Sequence, residues 1–203
     1  MIAARFALLL SAMFAAIGTT LPFFPPFLAS AGLTPQGVAA VLFAGSFARL
    51  IAGPLLGQVA DKRGMRRVLA ICAIFAATMQ LGFAMVPTGM AGVIFVLIAL
   101  SILYNAAMGP LVPLSESLTV AAARNGAFDY GRVRSIGSVA FIAASALAGV
   151  LVGQWGLGVV PIIVSVVLVI GAFAVLLLPE ASARRAQGHG SLLAPLSDPL
   201  FRR

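Results

Sequence analysis

Glu116 and Arg134 stand equally far either side of Asn125, in apolar sequence that turns back on itself there. In an antiparallel helical hairpin they share a depth of up to ~13 Å from its tip, at about 1.5 Å per residue and less any unwound turn. A charged group that deep in lipid costs about 2.5–3.5 kcal/mol, so the two are expected to pair or to line a wet cavity. They form either a binding pair for a polar solute or an ion pair that only locks two helices. Periodicity extends both rows: Arg134, Ser138, Phe141 and Ser145 share one helical face, as do Asn105, Gly109, Val112 and Glu116. Phe141 is either a wall for an apolar or aromatic group or simple packing. Arg49 is a further charge in an apolar run, with three readings: bidentate partner of a substrate carboxylate, snorkelling side chain, or partner of Asp61. Arg132 points away from Arg134, towards headgroups or Asp129, and Thr19 and Thr20 are candidate polar cavity atoms.

What must position these groups is set by composition. The 203 residues are 62% hydrophobic and only 9% charged, where a soluble domain carries roughly 25% charged residues. The mean hydropathy is +1.12. Lipid is therefore the solvent, and apolar runs of about 20 residues without alternation are helices rather than barrel strands. A net charge of +8 raises nucleic acid as a partner, but the distribution of the charges argues against it. Arg5, the group Lys62, Arg63, Arg66 and Arg67, the group Arg124, Arg132 and Arg134, and the terminal arginines from Arg184 onwards all fall on one side of the membrane. Arg49 alone lies within a run. This pattern puts both termini in the cytoplasm, with a bacterial inner membrane as the expected location. Cys72, the single cysteine, excludes an intrachain disulfide. Residues 1–20 resemble a signal peptide, yet the apolar run continues through Leu28 and argues against cleavage.

The elements follow as six transmembrane helices. Helix 1 covers about Arg5–Ala29, interrupted by Pro22, Pro25 and Pro26. Thr34-Pro35 caps helix 2, which reaches about Ala60. A basic loop spans 61–67, and helix 3 continues to about Val86. Pro87-Thr88-Gly89 turns the chain, helix 4 covers about Met90–Val120, and helix 5 covers about Arg132–Gln154, with Trp155 as an interfacial anchor. Helix 6 covers about Val159–Leu178 and stops at Pro179. Residues 1–180 thus form one bundle, with Gly149 and Gly153 as expected packing glycines. Residues 181–203, including His189, read as a cytoplasmic linker towards further sequence.

Between helices 2 and 3 stands Gly57-Gln58-Val59-Ala60-Asp61-Lys62-Arg63-Gly64-Met65-Arg66-Arg67. Gly64 permits a tight reversal, Asp61 sits at a helix end, and the cations face anionic headgroups. The segment resembles the signature of the major facilitator superfamily, with Gly57, Asp61, Lys62, Gly64, Arg66 and Arg67 as its conformational motif. Met65 departs from it by replacing an arginine. Three more stretches resemble the lactose permease and phenylpropionate permease group of that superfamily: Gly18–Pro25, Pro113–Leu118 and Tyr130–Ser138. The resemblance implies the N-terminal half of a transporter, built as a 3+3 inverted repeat, that carries a small organic solute by alternating access with protons. It implies that Glu116 and Arg134 contact the substrate; with the residues sharing their faces and the other intramembrane charge, the candidate contacts are Gly18, Arg49, Asn105, Glu116, Arg134, Ser138 and Phe141. Phe141 stands where the sugar permease carries a stacking tryptophan, which favours an aromatic or other carboxylate over a disaccharide. A sugar or nucleoside symporter and a non-transporting scaffold are the alternatives.

An intramembrane enzyme would need an activated nucleophile, a metal cluster or a working acid–base pair. The helices carry no histidine and no metal-spaced ligand set, so neither an enzyme, a metal nor a cofactor is expected. A channel would show a filter or symmetric polar rings. The expected partners are a solute, protons, the bilayer, and a second six-helix half or a second copy.

Overall fold

The computed structural model describes residues 2–87 and 92–178. Six helices lie among them: α1 (Ile2–Ser30), α2 (Pro35–Arg63), α3 (Met65–Ala84), α4 (Val93–Arg124), α5 (Tyr130–Trp155) and α6 (Val159–Leu176). Each is long and apolar enough to cross a bilayer. The chain is an all-α integral membrane protein, as its composition requires. The expected linker 181–203 lies outside the described residues.

Where helix ends differ from the sequence reading, caps and prolines explain it. Pro22, Pro25 and Pro26 do not interrupt α1. Each ring removes one amide donor and frees the carbonyl four residues back, on Gly18, Leu21 and Pro22. Membrane helices tolerate this because neighbouring groups satisfy the freed carbonyls. The expected loop 61–67 is also mostly helical. Only Gly64, at φ 99°, separates α2 from α3, in a backbone region that glycine reaches without a Cβ clash. Thr34 caps α2 as expected, its hydroxyl accepting from the Gly37 amide at 3.2 Å, with Pro35 following. Asp129 caps α5 by accepting from the Arg132 amide at 2.8 Å, so that helix starts at Tyr130.

Helices adjacent in sequence are not the closest partners. α2 lies along α4 and α5 along α1, while α3 packs on α6 and α4, and α6 on α1. The consecutive pairs α1/α2 and α4/α5 barely touch. Exchanging α1 with α4, α2 with α5 and α3 with α6 reproduces the whole pattern. Because α1 and α4 cross in opposite senses, this is a 3+3 inverted repeat.

The repeat is legible at single residues. Gly18-x-x-x-Pro22 in α1 corresponds to Gly109-x-x-x-Pro113 in α4. A Cβ on Gly18 would strike the Phe141 carbonyl oxygen of α5, and one on Gly109 would stand 3.1 Å from the Arg49 carbonyl oxygen of α2. One turn along, Gly137 of α5 meets Phe14 and Leu10, and Gly45 of α2 meets Asn105 and Ser101. Lipid tails are as apolar as leucine, so close backbone approach and interhelical hydrogen bonds hold such helices together. Two hydroxyls add to this: Ser101 Oγ donates to the Val41 carbonyl at 2.9 Å, and Ser165 Oγ to the Ala77 carbonyl at 2.9 Å. Gly149 has only an ordinary contact with the Phe23 ring, and a Cβ on Gly153 would meet nothing within 4 Å. The expected packing role of Gly153 is therefore not seen; spacing alone does not say which glycine faces a neighbour.

At the basic end, two arginines hold the last turn of α6. Arg5 Nη1 donates to the Leu177 carbonyl at 2.9 Å, and Arg66 Nη2 to the Leu176 carbonyl at 2.7 Å. Cations at this end complement the helix dipole and the free carbonyls.

Gly18→Ala and Gly109→Ala should each lower the thermal unfolding midpoint in detergent, by the equivalent of about 1–3 kcal/mol for overpacking. Gly153→Ala should leave it unchanged or raise it slightly. Fluorescence-detected thermal melting of the three variants checks this.

Candidate functional site

The long apolar row of α4 and the start of α5 bring the acid and the base together. Arg134 Nε donates to Glu116 Oε1 at 2.8 Å, and both side chains are 32% exposed. Arg134 is in the second turn of α5, whereas Glu116 lies two turns inside the end of α4. Unequal helix ends shift the depths, and the arginine's length closes the difference. Arg134 Nη1 also donates to Ser138 Oγ at 3.0 Å. Its Cζ stands 4.0 Å from the centre of the Phe14 ring, a cation–π arrangement that strengthens away from water. Phe14 belongs to α1 and had no local signal in the sequence; only the α1/α5 crossing reveals it. Since α4 and α5 hardly pack, this cluster is the principal polar link across their cleft.

Phe141 shares the face of Arg134 and Ser138, two turns along α5, and is half-buried. Gly18 is buried at the α1/α5 crossing against the Phe141 backbone, which places it in packing. Arg132 is exposed, and Asp129 engages its amide rather than its guanidinium.

Arg49 lies elsewhere. It is fourteen residues before the end of α2, or about 21 Å along the axis. That exceeds the reach of a snorkelling side chain, and Asp61 is about 18 Å away on the same helix. Neither reading tied to the basic end fits. Arg49 lines a cavity of about 290 Å³ between α1, α2 and α4, together with Thr20, Ser46, Tyr104 and Asn105. It also lines a more open hollow of about 700 Å³ bordered by Gly53, Gly109 and Val112. Among the described residues it has no ion pair or hydrogen bond. Asn105 turns its amide back on α4, donating to the Ser101 carbonyl at 3.0 Å. Thr20 Oγ1 donates to the Ala16 carbonyl at 2.7 Å and stands 3.5 Å from the Tyr104 hydroxyl. Thr19 is fully buried, with no hydrogen-bond partner, and does not line the cavity. Tyr104 was not anticipated, because a tyrosine in an apolar run carries no signal of its own.

Of the 57–67 motif, Asp61, Lys62 and Arg67 are exposed, Met65 is buried, and Gly57 faces open space. Asp61 makes no ion pair among the described residues. Gly64 forms the joint and Arg66 holds α6.

The pair should be energetically coupled. Glu116→Gln and Arg134→Gln should each lower the melting midpoint, and the double variant should recover part of the loss. Partial exposure limits the coupling to about 1–2 kcal/mol in a double-mutant cycle; strictly additive losses would show two independent charges.

Comparison with known proteins agrees with this architecture. The model of the MFS_1 like family matches residues 4–192. The "Probable 3-phenylpropionic acid transporter" of Escherichia coli (strain K12) is 33% identical over 140 residues, covering 68% of this chain and 36% of that protein. The matched region thus spans about a third of the relative's length. No solved structure matches. With six helices in a 3+3 repeat and a match over most of its length, the chain belongs to the MFS_1 like family and carries an N-terminal six-helix half of the major facilitator fold.

Proposed function

We propose that the complete protein is a secondary active transporter, a proton symporter for a small aromatic carboxylate, working by alternating access. The observation that carries this reading is the Glu116–Arg134 pair, one-third exposed on the open side of an apolar bundle. Charges inside a membrane protein that stay accessible usually line a solute or ion pathway. The name of the E. coli relative supports an aryl carboxylate, as does Phe141, whose ring suits an apolar wall. Alternating access requires a second bundle to rock against this one around the site. A second six-helix half supplies it, or a second copy of this one. The basic residues then lie in the cytoplasm and the protein in the bacterial inner membrane.

Uptake of labelled 3-phenylpropionate by cells expressing the complete protein tests the reading, with lactose as comparison. The acid should accumulate, and a protonophore should abolish the accumulation. Glu116→Gln and Arg134→Ala, at equal membrane levels, should each cut the initial rate about 10-fold or more, as expected for loss of a charge-assisted contact. Unchanged rates in both variants would reduce the pair to a helix lock.

A further inference from the structure

The inverted repeat places the α1/α2 cavity in register with the ionic cluster at α4/α5. The register that matches Gly18 to Gly109 and Gly45 to Gly137 also matches Asn105 to Phe14, Ser46 to Ser138, Leu42 to Arg134 and Pro25 to Glu116. Where one repeat has an ion pair closing the cleft, the other has a leucine and a proline that cannot bridge. The cleft there remains a cavity of about 290 Å³. The two repeats thus hold unlike half-sites, one closed by charge and one open.

The open one has the chemistry of an anion site with an apolar floor. Arg49 brings an intramembrane cation with no ion pair among the described residues. In the other half-site, Arg134 is already engaged by Glu116, Ser138 and the Phe14 ring. The Tyr104 hydroxyl stands 3.5 Å from Thr20 Oγ1, the outer limit of a hydrogen bond, with the Gln80 side chain also beside it, so it can turn to a stronger, charged acceptor. Behind it, Gln80 is fully buried with neither amide atom hydrogen-bonded, although it sits beside the same hydroxyl. Buried polar groups normally find partners, and here the Gln80 amide leaves both a donor and an acceptor unmet. Leu21, Phe24, Leu42 and Met108 supply the apolar walls. Small-molecule sites start at about 300 Å³, so this cavity takes one ring and not two sugars.

We infer that the α1/α2/α4 cavity is the carboxylate-binding site for a single-ring aryl acid, with Arg49 pairing with the carboxylate, Tyr104 donating to it, and the apolar walls holding the ring. This rests on the transport reading for the ligand's class but assigns it to a different cleft from the ion pair. Glu116–Arg134 and Phe141 then line the solute pathway at the α4/α5 cleft, while the carboxylate and ring are held in the α1/α2/α4 cavity.

Equilibrium binding to the complete protein in lipid nanodiscs tests it, using 3-phenylpropionate and its neutral amide as probes. Wild-type protein should bind the acid and discriminate against the amide. Arg49→Gln should weaken acid binding about 30-fold, as loss of a charged hydrogen-bonding partner implies, and leave the amide nearly unchanged. Arg49→Lys keeps the charge and should retain most of the affinity, which separates binding from folding. Leu42→Trp fills the cavity and should weaken both probes. Equal acid binding by wild type and Arg49→Gln overturns the site, as does failure of wild type to bind the acid. Acid binding that depends on Arg49 but is not followed by uptake upholds the site and defeats the transport reading. Uptake with binding indifferent to Arg49 does the reverse.

Discussion

Lipid removes the force that assembles soluble bundles, because a leucine gains little by leaving acyl chains for another leucine. What remains is dispersion at close range and hydrogen bonding that finds no competitor in hydrocarbon. The two long crossings of this bundle answer that constraint with glycine. Gly18 and Gly137 let α5 lie against α1, and Gly109 and Gly45 let α2 lie against α4. Everything at the candidate sites depends on these crossings. They bring Phe14 under Arg134 and Arg49 beside Tyr104, neither of which neighbours its partner in sequence.

The same crossings explain why α1 and α2, and likewise α4 and α5, stand apart. With α2 held on α4 and α5 on α1, the α1/α2 and α4/α5 clefts are left without a packed seam. Polar side chains can occupy such clefts without displacing a core. The inner helices α1, α3, α4 and α6 contribute most of the buried apolar residues, including Phe6, Leu9, Met13, Leu69, Leu97 and Leu168. Charge is confined to the edges of that core, where it can be shared with water or solute.

Much of this was legible beforehand. The length and apolarity of the runs determine six spans, and the spacing of Glu116 and Arg134 about Asn125 anticipates their contact. Thr34-Pro35 and Gly64 mark helix boundaries through local backbone chemistry. The rest depends on what faces what. Nothing in the composition of α1 distinguishes Thr19, buried in packing, from Thr20, which lines a cavity. Gly149 and Gly153 have the spacing of a contact motif, while the working glycines are scattered over four helices. The prolines of α1 read as an interruption because a lone helix would break there; the bundle around it keeps it continuous.

The arginine clamp on α6 has a bearing on how the protein meets its lipids. A count of basic residues along the chain treats each as a charge offered to the membrane surface. Arg5 and Arg66 instead point their donors inward, at the carbonyls of Val175, Leu176 and Leu177. Part of their charge is thereby met by the negative end of α6. Among the described residues, the charges facing outward at that surface are chiefly Lys62, Arg63, Arg67, Arg124 and Arg132. Lipid attraction at this end is therefore weaker than the sequence total suggests, and concentrated beside two helix turns rather than spread around the rim.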